Sequence, residues 1–475
     1  MENTKLIILI KSLDQYEIRQ FKDFINSPAF NKKKILPKLF DELKKYYPDF
    51  NDLRSNEKQL YSRLYPGETF DYFKLKNALS DLYNLGKEFL SFLKYKKDLQ
   101  IKEKYLLEEL RLRRLYKLFE QELKSAIAGT EKNPTQDEHY VQHKLNLAYE
   151  KMSHLVLLKP NDNIHLQQEM YEFLLTYSLI RILKSYNVML HETKQNNCSY
   201  DMHMFEEIMQ FLDKKKFDNP TLIVYYHIIN LERNKNDVNF NLLKKTAGKH
   251  NERLNDYDRY IVFLHLTSYC TNEYNIKCRT DLMKEHFQLI KEKDGWKNIP
   301  GNKILYPDFL NEVKIAVRAN EIEWAEKYIE KNKYILVEGR DNTLNFCDGL
   351  IEHKKGNHDK ALELLSRTNF PNFILKLQVK ILELQILYEM EYFEKAVSAI
   401  DNFRHYIKRE KTIKDDFKKM FIEFLNITGS MLKLKSGSFG KEKNYYKDKI
   451  RFDISKMTGN QFGIKLWLME NNKSL

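Results

Sequence analysis

The chain has 475 residues, with 80 Lys and Arg against 67 Asp and Glu, a formal net charge of +13, and only 14 glycines and 10 prolines. That length accommodates two or three domains with apolar cores, and so little glycine and proline argues against an all-β fold and against long linkers. Four cysteines in so long a chain, none at Cys-x-x-Cys spacing, exclude a disulfide framework and a zinc ribbon and point to buried thiols in a reducing compartment.

Taken in order, the chain opens with only five consecutive apolar residues, Leu6 to Ile10, too few for a signal-peptide core or a membrane span. Ser12-Leu-Asp-Gln15 has the form of a capping box, followed by an apolar face of Tyr16, Ile18, Phe21, Phe24 and Ile25 that should stop at Ser27-Pro28. A second helix is expected through Leu36, Leu39, Phe40 and Leu43 to Pro48. After the turn signal Pro66-Gly67 a longer one carries Leu75, Leu79, Leu82, Leu85, Phe89, Leu90 and Leu93. From Lys96 to about Ala128 the pattern reads as one long amphipathic helix. Its Arg111, Arg113 and Arg114 are surrounded by glutamates, which predicts a solvated face laced with ion pairs.

Residues 129–137 read as a loop and a domain boundary. Helices over about 138–158 and 164–192 follow, separated by the polar run 159–163, and a polar loop over 193–201 opens the second half. Met204–Leu212 is expected to pair with an apolar helix running from Pro220 through Ile229, and Tyr257–Tyr269 with Leu282–Ile290 before a turn at 299–301. Beyond residue 403, a helix over 417–434, a glycine-hinged break over 436–440 and a final segment with Phe462, Ile464, Leu466 and Trp467 complete the chain. The last should dock as a cap on the open end of the stack.

Between residues 320 and 403 one pattern occurs three times. Asn320-Glu-Ile-Glu-Trp-Ala325 with Ile329 matches Gly356-Asn-His-Asp-Lys-Ala361 with Leu365, and both match Glu391-Tyr-Phe-Glu-Lys-Ala396 with Ile400. The alanines recur after 36 and then 35 positions. A period near 34 is expected of a two-helix unit that buries its apolar face by stacking on neighbours. The small and large residues sit four apart on one helix face, so the partner helix can approach at the alanine. Asn320 and Gly356 suit a left-handed turn after the preceding helix, and Glu391 departs from that chemistry, so its turn should be made differently.

This pattern resembles the tetratricopeptide repeat. The second copy fits best, with Gly349, Gly356, Ala361 and Leu365 at the family's small, turn, small and large positions and Pro371 near its terminating proline. Asp348 and Glu352 depart from it, standing where that family prefers large apolar residues. The N-terminal combination Ser27-Pro-Ala-Phe-Asn31, Tyr46-Tyr-Pro-Asp-Phe50 and Tyr65-Pro-Gly67, with the Tyr269-Cys270 segment and Asp401-Asn-Phe-Arg-His-Tyr406 in the expected order, resembles a bacterial family of helical-repeat proteins. That likeness implies a domain layout and supplies no activity, substrate or site. The expected fold is all-α: an N-terminal helical module (1–98), a long-helix segment (99–195), a tetratricopeptide-like α-solenoid (196–435, clearest over 311–403) and a basic C-terminal capping segment (436–475).

Searching for chemistry yields little. Gly437-Ser-Phe-Gly440-Lys441 lacks the spacing, the following Ser or Thr, and the preceding strand of a phosphate loop. His139 and His143 have the four-residue spacing of two metal ligands, but no third ligand is evident and they read as histidines on a polar face. His227 and His265 read as hydrogen-bonded core residues. No catalytic residues, cofactor or metal are therefore expected, and the chain reads as a cytoplasmic, non-catalytic scaffold that holds a protein or peptide on a concave surface. Residues of the first helix in each pair would face that surface, which makes Asn311, Lys314, Arg318, Asn345 and His353 the candidate partner contacts.

The second reading is an RNA- or ribosome-associated protein. From Arg404 onward, 17 Lys and Arg stand against 8 Asp and Glu, which places nine of the thirteen net charges in the last 72 residues. Lys408, Arg409, Lys441, Lys443, Lys447, Lys449 and Arg451 would be its phosphate contacts, and Tyr406, Tyr445 and Tyr446 its stacking groups.

Overall fold

The computed structural model describes residues 4–50, 57–158, 164–196, 198–294, 305–336, 339–410, 415–437 and 442–474. The expected features at 159–163 and 299–301, most of the 436–440 break and Lys441 lie outside them. The described residues are helical and turn, with no strand among them, and none of their helices is long and apolar enough to cross a membrane. Two compact units are present, one formed by residues 1–132 with 142–173 and the other by 133–141 with 174–475.

In the first unit, helices α1 (Lys5–Lys11), α2 (Gln15–Asn26), α3 (Ile35–Lys44), α4 (Glu57–Leu64) and α5 (Tyr72–Lys97) share one core. The five-residue apolar run is a short helix whose Leu6, Ile7 and Ile10 are buried there, and Gly86 of α5 lets it come close: a Cβ at Gly86 would meet both Leu9 methyls at 3.2 Å. Phe21 stacks on Phe89 at 4.9 Å between ring centroids. The capping box is made by Asp14 and Glu17 instead of Ser12 and Gln15. Ser12 closes α1, its hydroxyl donating to the Leu9 carbonyl at 2.6 Å, so the second helix starts two residues later than the pattern predicts.

The expected long helix over 96–128 is two helices, α6 (Leu99–Leu112) and α7 (Tyr116–Glu131). Asp98 ends α5 and caps α6 through the Ile101 amide. Arg114, at φ 59°, breaks α6 from α7, with the Leu115 N–H donating back to Leu110 at 2.9 Å. Arginine has no intrinsic preference for a left-handed turn, so a composition-based reading passes over it. Phe119, Leu123 and Ala126 of α7 pack on Leu107 and Leu110 of α6 and on Leu147 of α8 (Glu138–Leu158). The arginines behave as expected in part: Arg113 pairs with Glu109 at the surface, whereas Arg111 pairs with Glu150 in a largely buried contact at 2.8 Å.

The second unit takes the rest of α9 (Ile164–Asn196), α10 (Phe205–Lys214), α11 (Pro220–Arg233), α12 (Asp237–His250), α13 (Asp256–Lys277), α14 (Asp281–Asp294), α15 (Tyr306–Arg318), α16 (Ile322–Asn332), α17 (Arg340–Lys354), α18 (His358–Ser366), α19 (Phe373–Glu389), α20 (Phe393–Arg409), α21 (Asp415–Lys435), α22 (Lys443–Lys456) and α23 (Ile464–Lys473). The polar loop expected from residue 193 begins after Asn196, because the helix carries on through it. From α11 onward consecutive helices pack as pairs, α11 chiefly on α12 instead of α10, and the first helices of successive pairs touch, α15 on α17 and α17 on α19. A buried charge cluster joins α8, α9, α11 and α13: the Lys184 ammonium lies 2.6 Å from Glu138 and 2.8 Å from Asp258, which also accepts from the Tyr225 hydroxyl.

The threefold pattern is geometric as well as sequential. Ala325, Ala361 and Ala396 are fully buried, and Ile329, Leu365 and Ile400 lie buried one turn on. The close approach of α17 and α18 needs Gly349, where a Cβ would meet Leu365 at 3.3 Å. Residues 320, 356 and 391 all have left-handed backbone, with φ of 67°, 83° and 59°. In each turn the next amide donates to the carbonyl five residues back, Glu321 to Ala316 and Asn357 to Glu352 at 2.9 Å and Tyr392 to Leu387 at 3.0 Å. Glu391 therefore makes the same helix-terminating turn as the glycine; these bonds offset the roughly 1 kcal/mol that a left-handed residue with a Cβ costs.

The final segment does more than cap the last pair. Trp467 packs on Tyr388 of α19 and Phe424 of α21, while the buried Asn460 reaches α13. Its side-chain amide donates to the Tyr274 carbonyl at 3.2 Å and its backbone N–H to the Asn275 carbonyl at 2.6 Å. Its Oδ1 accepts from the Leu466 amide at 3.0 Å, so one asparagine satisfies carbonyls near the end of α13 and fixes the start of α23.

Candidate functional site

Helix α15 carries Asn311, Lys314 and Arg318 three and four residues apart, which sets them on one helix face. Asn311 is exposed and the two cations are half-buried. The Lys314 ammonium donates to Gln378 Oε1 of α19 at 2.9 Å, and the Arg318 guanidinium lies over the Tyr274 ring of α13 at 5.2 Å. One face of α15 thus reaches the helices on both sides of it. No carboxylate among the described residues pairs with either cation; the one glutamate of α15, Glu312, pairs with Lys293.

Burial, and then the positive charge of Arg318, pushes Lys314 down to about 7. Burial lowers the Arg318 guanidinium too, which the Tyr274 ring counters. His286 of α14 is pushed down to about 4 by burial and by the charges of Arg318 and Lys293. Cys347 of α17 is pushed up by burial and then by the Asp348 carboxylate, which the positive charge of Lys314 opposes. Among the described residues neither cation has a carboxylate paired with it. Two such cations are costly to hold out of water unless an anion shares the space.

A second cluster lies where α17, α18 and α19 meet. His353 Nδ1 faces His358 Nδ1 at 3.4 Å and Glu389 Oε2 at 3.7 Å, and the other Glu389 oxygen accepts from the Trp467 indole at 2.7 Å. Burial is the main force lowering His353, and Glu389 opposes it.

Of the five residues expected to face a partner, Lys314, Arg318 and His353 hold these positions. Asn345 is half-buried on α17, and neither it nor Asn311 makes a side-chain hydrogen bond among the described residues. Sequence reasoning missed Gln378, Tyr274, His358, Glu389 and Trp467. The available signal was in α19, where Gln378, Gln385 and Glu389 stand seven and then four apart, with Gln378 and Gln385 buried among apolar residues.

The remaining candidates do not converge. His139 is exposed, whereas His143 is buried and faces Glu103 at 3.0 Å, so the pair does not lie on a common polar face as expected. His265 is buried and bonded to Glu232 at 2.8 Å, a core histidine as anticipated. Cys270 and Cys347 are buried thiols and Cys198 and Cys278 are half-buried.

Among the basic residues, Lys408 and Arg409 are exposed at the end of α20. Lys443, Lys447 and Arg451 form an i, i+4, i+8 stripe on α22, exposed Tyr445 and Lys449 lie four apart on another face of it, and Arg451 lies 3.5 Å from Asp448. No protein-family model, curated protein or solved structure matches the chain.

Proposed function

We propose that the second unit is a tetratricopeptide-like α-solenoid that acts as a non-catalytic interaction scaffold, holding an acidic peptide or helix on the concave face formed by the first helices of its pairs. The observation that carries this reading is the pair Lys314 and Arg318, turned toward α19 and α13 with no carboxylate partner among the described residues. An arginine fork and a lysine point charge side by side suit a carboxylate or a phosphate ester. The three identical helix-ending turns and the first-helix contacts favour a repeat that curves, which is how such proteins present an extended groove. The basic stripe on α22 supports the second reading, nucleic-acid binding, and is the outcome to be tested against.

The test is recovery of the tagged chain from its native cytosol at low salt, with and without nuclease, beside a Lys314→Gln/Arg318→Gln variant. The scaffold reading expects protein partners that survive nuclease and moderate salt and are lost from the variant. Loss of every partner on nuclease treatment, with RNA in the untreated sample and equal recovery by the variant, overturns it.

A further inference from the structure

We infer that His353, His358 and Glu389 form a binding site for one divalent transition-metal ion of the zinc class. One donor atom from each of the three lies within 4.8 Å of the other two. Zinc binds imidazole nitrogen and carboxylate oxygen at about 2.0–2.2 Å in a tetrahedron, so two ligand atoms on one ion stand roughly 3.3–3.6 Å apart. The observed His353–His358 separation of 3.4 Å is that edge, and the His353–Glu389 separation of 3.7 Å is a few tenths longer.

The site is also built from fixed parts. His353 is in the last turn of α17 and His358 opens α18, and the left-handed turn at Gly356 between them holds both rings on the same side. Glu389 is the last residue of α19, and the Trp467 indole holds one of its oxygens, leaving the other for a ligand bond. Such an outer hydrogen bond to a ligating carboxylate is a usual companion of a metal site.

A hydrogen bond between two neutral histidines accounts for the 3.4 Å contact alone. It leaves unexplained why a carboxylate with one oxygen already tethered is aimed at the same point. Two imidazoles and one carboxylate make a three-ligand set with a fourth position open to water, and the ligand types favour zinc, copper or nickel over magnesium or calcium.

The experiment uses the full chain, stripped with chelator and dialysed, and measures zinc affinity by competition with a chromophoric chelator. Cobalt(II) serves as a second, spectroscopic probe. The expected result is one zinc per chain and the intense visible absorption of four-coordinate cobalt. His353→Ala and His358→Gln should each lose at least about a hundredfold in affinity, and Trp467→Phe about tenfold to a hundredfold. Exposed His139→Ala should leave binding unchanged. His358→Gln alters a half-buried helix-start position and keeps the fold testable by circular dichroism. Absence of stoichiometric zinc in the wild-type chain, or wild-type affinity in the His353 and His358 variants, overturns the assignment.

Discussion

Lys314 gives the sharpest test of the electropositive face. Its ordinary value of 10.5 falls to about 7 in the folded chain. At about 1.36 kcal/mol per tenfold change in proton affinity, carrying this charge costs the native state roughly 5 kcal/mol at pH 6. At pH 9 the native lysine is neutral while the unfolded one is still charged, and the cost is roughly 2 kcal/mol. The unfolded chain binds the extra proton between pH 7 and 10.5, so this residue makes stability rise with pH across that window and withholds it fully below 7. Lys314→Met keeps the stem and removes the charge, at a loss of about 1 kcal/mol for the bond to Gln378.

The variant should therefore be more stable than the wild type at pH 6, by up to about 4 kcal/mol, with a lead about 3 kcal/mol smaller at pH 9. Urea unfolding followed by tryptophan fluorescence reads this in the right place, because Trp324 of α16 and Trp467 of α23 belong to the second unit. A lead that does not change between the two pH values, or a variant less stable at pH 6, refutes the reasoning.

The same fluorescence-detected unfolding checks three further expectations. Glu391→Gly should stabilise by about 0.5–1 kcal/mol and Gly356→Ala destabilise by about 1 kcal/mol, because both residues occupy left-handed turns that only glycine enters without cost. Lys184→Met should destabilise by about 3–5 kcal/mol, since it strands the buried Asp258 and Glu138 carboxylates; a neutral result would mean the cluster is not dry. Asn460→Ala should cost about 1–2 kcal/mol by leaving the Leu466 amide without its cap and removing the side-chain bond to the Tyr274 carbonyl, which keeps the Cys278 N–H; a loss under about half a kcal/mol would show that the α13 contact is incidental.

The helical class and the three alanine copies were legible because they depend on local spacing: Ala361 and Leu365 must share a face wherever the chain goes. The turn at Glu391 was not, because its left-handed backbone is imposed by the helix that ends there and not by the residue itself. Arg114 hid the break between α6 and α7 for the same reason. At the candidate site, Lys314, Arg318 and His353 were reachable from their positions on first helices. Their partners were not, since Gln378 lies 64 residues beyond Lys314 and Trp467 lies 78 beyond Glu389. His358 looked like an ordinary first-turn residue until the Gly356 turn folded it back on His353.

Site-specific photo-crosslinking in a lysate of the source cells reads most directly whether a partner's acidic group sits against Lys314 and Arg318. A photoreactive residue at Asn311, exposed on the same face of α15, is compared with one at Tyr445 on α22. The expected result is protein crosslinks from position 311 that disappear in the Lys314→Gln/Arg318→Gln background and persist after nuclease. Crosslinks from position 445 alone, and to RNA, would contradict it.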